Sequence, residues 1–198
     1  MVHEEKTFTE LDVSRKLRQL RAEIPGFMSL SFETIAAAGE HAALPHYQPT
    51  QETNAEIRPG DLLLIDSGGQ YEGGTTDITR TIAVGEPSAA QRRDFTAVLR
   101  GHILLASTHF PQGTFASQLD TLARMPIWEI GCDFGHGTGH GVGFCLNVHE
   151  GPVSISPRTQ PGPATRIVPG IVVSNEPGLY RPGRWGVRTE NLVTPVEA

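Results

Sequence analysis

Five side chains of types that bind divalent metals recur through the C-terminal two-thirds of the sequence: Asp66, Asp77, His140, Glu176 and Glu190. Four carboxyls and one imidazole brought together in a protein interior would repel one another and lose hydration, at a cost of many kcal/mol. Two divalent cations would remove that penalty, so the set reads as a dinuclear metal site. Each ligand sits in a distinctive string: "LLLIDSGGQYEGGTTDITRT" holds both aspartates, "GHGTGHGVG" the histidine, "VVSNEPG" the first glutamate and "VRTEN" the second. Taken singly, Asp66 or Asp77 would read equally well as a turn cap; the set of five favours the metal site. An oxygen-rich donor set with one imidazole and no thiolate suits Mn²⁺ best, with Zn²⁺ and Co²⁺ compatible. Cys132 and Cys145 lack a CxxC spacing, which argues against a zinc–thiolate site and for free thiols.

These ligands need elements to hold them. Thr9 and Asp12 form a capping-box pattern, and Leu11, Val13, Leu17, Leu20 and Ile24 follow at helical spacing up to Pro25-Gly26. From Ser31 to Pro49 the pattern is mixed, with residues 39–46 read as irregular or short strand. Pro59-Gly60 is a turn that launches the buried strand Leu62 to Ile65, and the glycines at 68, 69, 73 and 74 punctuate a hairpin. Asp66 and Asp77 are thereby expected on neighbouring strands. Ser88 and Gln91 start a long helix ending between His109 and Gly113, and a shorter helix covers Ser117 to Met125, stopping at Pro126. Residues 131–143 are glycine-rich, as where backbone must approach a ligand. Ile171 to Asn175 and Val187 to Val193 read as final strands. Asp61, Asp94, Asp120 and Asp133 lack supporting strings and are expected to be surface, capping or local structural groups. His3, His41, His102 and His109 are expected to be solvated or packed.

The ligand strings, together with "HYQPT" (residues 46–50) and "LNVHEGP" (residues 146–152), closely resemble the catalytic domain of Xaa-Pro aminopeptidases, or aminopeptidase P, among the pita-bread metallopeptidases. Methionine aminopeptidases and prolidases share the ligand order; "NVHEGP" and the His46 segment favour the aminopeptidase P branch. The resemblance runs from about Thr9 to the last residue. It implies an α+β pita-bread fold, two pseudo-symmetric halves with helices outside curved antiparallel sheet. It also implies that residues 1–198 are a single catalytic domain incomplete at both ends.

The roles that the resemblance implies are specific. Asp66 would hold one metal, His140 and Glu176 the other, and Asp77 and Glu190 both. A hydroxide bridging the two metals would attack the N-terminal Xaa-Pro bond. Glu176 would also shuttle a proton to the imide nitrogen, which has no hydrogen of its own. His46, His136 and His149 would line the substrate cleft, the first at its entrance and the others beside the carbonyl and proline ring, with His149 stabilising developing charge. Arg188 and Tyr180 would lie near the proline pocket and the metals, with a structural hydrogen bond as the competing reading for each. A prolidase-type dipeptidase and a non-catalytic peptide-binding module are the alternatives, the second disfavoured because all five ligands are present.

Composition sets outer bounds. The 198 residues are 38% hydrophobic and 19% charged, enough for one domain with a true core. A net charge of −6 opposes nucleic-acid or anionic-membrane partners and leaves a small molecule or peptide as the expected partner; the family resemblance implies short peptides with proline second. The first twenty residues lack an apolar signal segment. A cytoplasmic location is the default expectation, and a homodimer is compatible with the sequence.

Overall fold

The computed structural model describes residues 7–145 and 147–197, so His3, Lys6 and Leu146 lie outside it. The first helix, α1 (Glu10–Ala22), is closed by the expected capping box: Asp12 N donates to Thr9 Oγ1, and Thr9 N donates back to the Asp12 carboxyl. At its far end Arg21 donates to the Ser67 carbonyl and hydroxyl, both at 2.9 Å. The expected apolar stripe is only partly covered, for Leu20 and Ile24 remain 45% and 53% exposed.

Strands β1 (Phe27–Leu30) and β2 (Ile35–Ala38) follow, then β3 (Leu62–Ser67), β4 (Gly69–Tyr71), β5 (Gly74–Thr75) and β6 (Ile78–Ala83). Two antiparallel sheets result, ordered β2-β3-β6 and β1-β4-β5. The first is built on β3, whose leucines 62 to 64 are buried. Its register sets Asp66 opposite both Ile35 and Thr79, while Asp77 immediately precedes β6. Both aspartates therefore emerge at one end of one sheet, as their spacing implies. After β2, Gly39 adopts φ +54° and turns the chain into a 3-10 helix, Gly39–Ala43, where the sequence suggested an irregular or strand segment.

Helix α2 (Ala89–Ser107) is capped by Ser88 and Gln91 as expected and ends slightly before the anticipated residues. Helix α3 (Ala116–Trp128) does not stop at Pro126 but carries it in its last turn. One lost backbone bond is tolerated there because Pro126 and Ile127 are buried and Ile127 packs into the main core. The remaining strands are short: β7 (Gly139–His140), β8 (Ser154–Ile155), β9 (Val173–Asn175), β10 (Gly178–Arg181), β11 (Trp185–Arg188) and β12 (Asn191–Val193). The β10–β11 hairpin, turning at Pro182-Gly183 with Gly183 at φ +68°, was not anticipated as a separate unit. That Pro-Gly pair was the available signal.

The helices pack against the outer faces of the sheets: α1 on β1 and β2, α2 on β9 to β11, α3 on β8 and α2. The main core joins Val98, Ile127, Leu179, Val187 and Trp185; a second joins Leu105, Leu119, Ile155 and Val173; a third lies under β2 around Ile35, Tyr47 and Leu64. Each fully buried aliphatic side chain contributes about 1.5–3 kcal/mol. Tyr180 touches the first and third clusters and so spans the two halves.

A polar clasp fixes the hairpin to α2. Asp94 is fully buried and accepts two hydrogen bonds from Arg181, at 2.8 and 2.9 Å, and one from Trp185 Nε1 at 3.1 Å. These partners hold its carboxyl below the usual range, against the burial that pushes it up. This is one of the local structural roles expected for Asp94, and a buried one. Replacing Asp94 with alanine leaves a buried indole donor and an arginine without partners, so we expect a loss of about 2–3 kcal/mol, read as a lower urea midpoint with unchanged slope.

Candidate metal centre and substrate cleft

All five sequence-predicted ligands line one cavity of about 380 Å³. Asp66 comes from the end of β3, Asp77 from the approach to β6, His140 from β7, Glu176 from the residue after β9, and Glu190 from the link between β11 and β12. Ligand atoms of Asp77, His140 and Glu190 lie within 4.8 Å of one another. His140 Nε2 is 3.4 Å from Asp77 Oδ2 and 3.2 Å from Glu176 Oε1. Its Nδ1–H donates to the Gly141 carbonyl at 3.0 Å, which turns Nε2 into the cluster.

Close approach of two strands makes this possible. A side chain at Gly139 would collide with the Ser174 carbonyl, so glycine lets β7 lie against β9. Ser174 Oγ then accepts from His140 N and donates to Glu176 Oε1, both at 2.9 Å. Ser174 thus orients two ligands at once and was not singled out from the sequence, although it lies in the "VVSNEPG" string.

The donor set fits a cation. Asp66 accepts from Arg188 Nη2 at 2.7 Å through Oδ2, and Glu190 from Thr79 Oγ1 at 2.6 Å through Oε2. Their other oxygens, Asp66 Oδ1 and Glu190 Oε1, are buried without a hydrogen-bond partner among the described residues. Such atoms are costly unless something positive meets them.

Titration behaviour follows from the crowding. Burial pushes Asp66 up to about 6 despite the opposing Arg188 guanidinium, with the Asp77 and Glu176 charges adding to the rise. Burial and the surrounding carboxylates raise Glu190 well above the usual range. His140 is burdened by burial, yet its bonds to Asp77 and Glu176 lift it to about 10. Glu176 goes the other way: burial would raise it, but His140 and Arg188 hold it low.

A second set of side chains walls the cleft. Arg188 Nη1 donates to the Tyr180 hydroxyl at 2.8 Å, so the phenol donates onward to His136 Nε2, also at 2.8 Å. His136 Nδ1–H donates to the Gly137 carbonyl at 2.7 Å. Both nitrogens of His136 are therefore engaged, and burial keeps the ring neutral. His149 stands with its ring 4.3 Å from that of His140 in a T-shaped contact. Burial and the neighbouring His140 lower its pKa. His46 lines the mouth of the cavity with Pro45, Gln48, Phe32 and Glu33. The site residues singled out from the sequence thus line one cleft, except Tyr180, which stands behind it bonded to Arg188 and His136.

The chain matches the metallopeptidase family M24 over residues 1–195. It belongs to that family. It is 50% identical over 192 residues to Aminopeptidase P2 of Arabidopsis thaliana, covering 97% of this chain but 27% of that protein. Among solved structures it resembles the X-prolyl aminopeptidase of Caenorhabditis elegans, described as a cytosolic enzyme with a di-nuclear active site. That likeness has a TM-score of 0.92 and 43% identity over 98% of this chain and 31% of the other. It also resembles the prolidase of Pyrococcus furiosus, with a TM-score of 0.85 and 37% identity over 98% of this chain and 55% of the other. The chain thus spans about a third or less of the length of these two aminopeptidases and about half that of the prolidase, and its fold is the pita-bread fold of the M24 family.

Within this M24 domain, further residues brace the cleft, and sequence reasoning missed them. Arg124, 5% exposed, holds Asp120 through two bonds of 2.6 and 3.2 Å and Asp133 at 2.8 Å. It also donates to the carbonyls of Phe134 and His136, each at 2.7 Å. Asp120 accepts from Thr138 Oγ1 at 2.7 Å as well. The loop carrying His136 and His140 is thereby pinned to α3. The i, i+4 spacing of Asp120 and Arg124 was visible but has a solvent-exposed pair as its ordinary meaning. His102 is packed, as expected, and braces the two glutamates. Its Nδ1–H donates to the Asn175 carbonyl at 3.0 Å, and Asn191 Nδ2 donates to its Nε2 at 2.9 Å. Burial lowers its pKa, consistent with the neutral form this arrangement requires.

Because His140 is held near 10 and Asp66 near 6 by their surroundings, a cation entering at neutral pH must displace a proton from His140. Metal binding should release at least one proton at pH 7, from His140 and from the raised Glu190, and more below pH 6, so affinity should rise with pH. Titration calorimetry of Mn²⁺ in buffers of different ionisation enthalpy gives the proton count.

Proposed function

We propose that the chain is the catalytic domain of a metal-dependent Xaa-Pro aminopeptidase, releasing the first residue of short peptides whose second residue is proline. The observation carrying this is the convergence of Asp66, Asp77, His140, Glu176 and Glu190 on one cavity that His46, His149 and Arg188 also line. The aminopeptidase P relatives and the di-nuclear site of the C. elegans protein support it. Two divalent cations held by those five residues, manganese on the strength of the oxygen-rich set, would supply the Lewis acidity that activates a water for attack and polarises the scissile carbonyl. We take residues 1–198 as one domain and the cytoplasm as its location, in line with the cytosolic C. elegans relative. No helix of the described residues is long and apolar enough to cross a membrane.

The chain's own groups divide the remaining work. Glu176, kept ionised by His140 and Arg188, can take a proton from the attacking water and return it to the leaving nitrogen. A tertiary imide nitrogen needs that proton, because it carries none. His149, whose ring stands edge-on to that of His140 and whose pKa burial lowers, is placed to donate a ring N–H to the developing oxyanion. His136 has both nitrogens committed, so its part is to present a ring wall to the proline, backed by Tyr180 and Arg188.

Matched Xaa-Pro-Xaa and Xaa-Ala-Xaa peptides test the specificity: the proline series should be cleaved and the alanine series left nearly intact. Equal rates would mean a general aminopeptidase, and cleavage confined to Xaa-Pro dipeptides a prolidase. Glu176→Gln should lower kcat by about 10²–10⁴ while weakening metal binding less than Asp77→Asn does, by calorimetry. Full activity in Glu176→Gln would remove its proton-shuttle role. Activity should also fall below about pH 6, where Asp66 takes up a proton in competition with metal. Added Mn²⁺ should move that limb to lower pH.

A further inference from the structure

The segment of residues 44–54, which brings His46 to the mouth of the cleft, has no sheet ladder to hold it. Backbone bonds within it are few: Tyr47 N to Leu44 O and Asn54 N to Thr50 O. Pro45, His46 and Gln48 line the cavity, whereas Tyr47 turns the other way and is 8% exposed. What fixes the segment is therefore whatever Tyr47 meets behind it.

It meets Glu10, the first residue of α1, which is 0% exposed and takes no part in the metal site. Tyr47 donates to Glu10 Oε2 at 2.7 Å, and also approaches the Thr53 carbonyl at 3.0 Å. Burial raises the phenol to about 12, so it stays a donor. Glu10 Oε2 accepts as well from Ala55 N at 2.9 Å, and Oε1 from Ala38 N at 2.7 Å. His41 Nδ1 lies 2.9 and 3.1 Å from the two oxygens, and its ring stacks on Tyr47 at 4.3 Å. Glu10 N donates to the Ala55 carbonyl, and Leu11 N to Asn54 Oδ1, both at 3.0 Å. One carboxyl thus joins the start of α1, the end of β2, the 3-10 helix and both ends of the cleft-edge segment. A carboxyl with no water contact is retained only where its bonds are complete, and here they converge on the backbone that presents His46.

We propose that Glu10 is a positioning residue for substrate recognition, setting through Tyr47 the place of His46 at the cleft entrance. The proposal rests on the aminopeptidase reading only for its kinetic consequence. A buried bond network adjacent to a binding group acts on how substrate is seated, since small misplacements of such a group are costly. Glu10→Gln, which keeps the shape and one acceptor oxygen, should therefore raise KM for a Xaa-Pro-Xaa peptide by about tenfold with a much smaller change in kcat. Tyr47→Phe should move KM in the same direction by less.

The test combines kinetics with a readout independent of turnover. In the protein loaded with diamagnetic Zn²⁺, histidine ring NMR signals are recorded for the parent, Glu10→Gln and Tyr47→Phe, with His46 assigned from His46→Ala. The His46 resonance should shift or broaden in both variants while those of His102 and His136 stay in place. In a double-mutant cycle, Glu10→Gln should cost little more once His46 is alanine. An unmoved His46 signal in the folded Glu10→Gln protein overturns the inference, as does a full additional loss in the His46→Ala background. A moved His46 signal in a protein that cleaves no Xaa-Pro peptide supports the positioning and overturns the aminopeptidase reading instead.

Discussion

Mutual repulsion of carboxyl groups is the constraint around which this domain is organised. Asp66, Asp77, Glu176 and Glu190 face one cavity, where burying like charges together is costly unless positive groups meet them. The local answers are visible: Arg188 offsets Asp66, His140 offsets Asp77 and Glu176, and Thr79 accommodates one oxygen of Glu190. The remaining bare oxygens on Asp66 and Glu190 mark where protein partners end and cation chemistry begins. Such a cluster survives only if its parts cannot drift apart, and the polar networks behind the cleft serve that need.

Each loop of the site has its own buried brace. Asp94 with Arg181 and Trp185 holds the hairpin that delivers Tyr180 and Arg188. Arg124 with Asp120 holds the segment of His136 and His140. His102 holds the neighbours of Glu176 and Glu190. These groups act through backbone carbonyls and asparagine side chains rather than on substrate, which is how outer residues tune metal ligands in general. Apolar burial stabilises the domain, whereas these polar bonds decide where its ligands stand.

The sequence made the chemistry far more legible than its supports. Five candidate ligands in glycine-marked strings stand out by residue type and context, and histidines 46, 136 and 149 stand out through the family resemblance of the strings that carry them. Asp94, Asp120 and His102 do not. Asp94 acquires its role only from Arg181, 87 residues away, and His102 from Asn175 and Asn191, 73 and 89 residues away. The two reciprocal helix caps and the β3–β6 pairing were readable from adjacent residues, since capping and hairpin formation are short-range. Pro126 misled because its local preference was overridden by the burial of Ile127 beside it.

The bond from Thr79 to Glu190 closes 111 residues of chain, and that from Arg188 to Asp66 closes 122. Contacts of such separation carry a large loop-closure entropy and form after local ones. Helices and the β3–β6 hairpin can therefore mature while the candidate ligands are still apart, and the candidate cation site is complete only once both long closures are made. A nascent chain would offer metals only scattered single carboxyls and imidazoles, so selection among ions would fall to a cavity whose shape is already set.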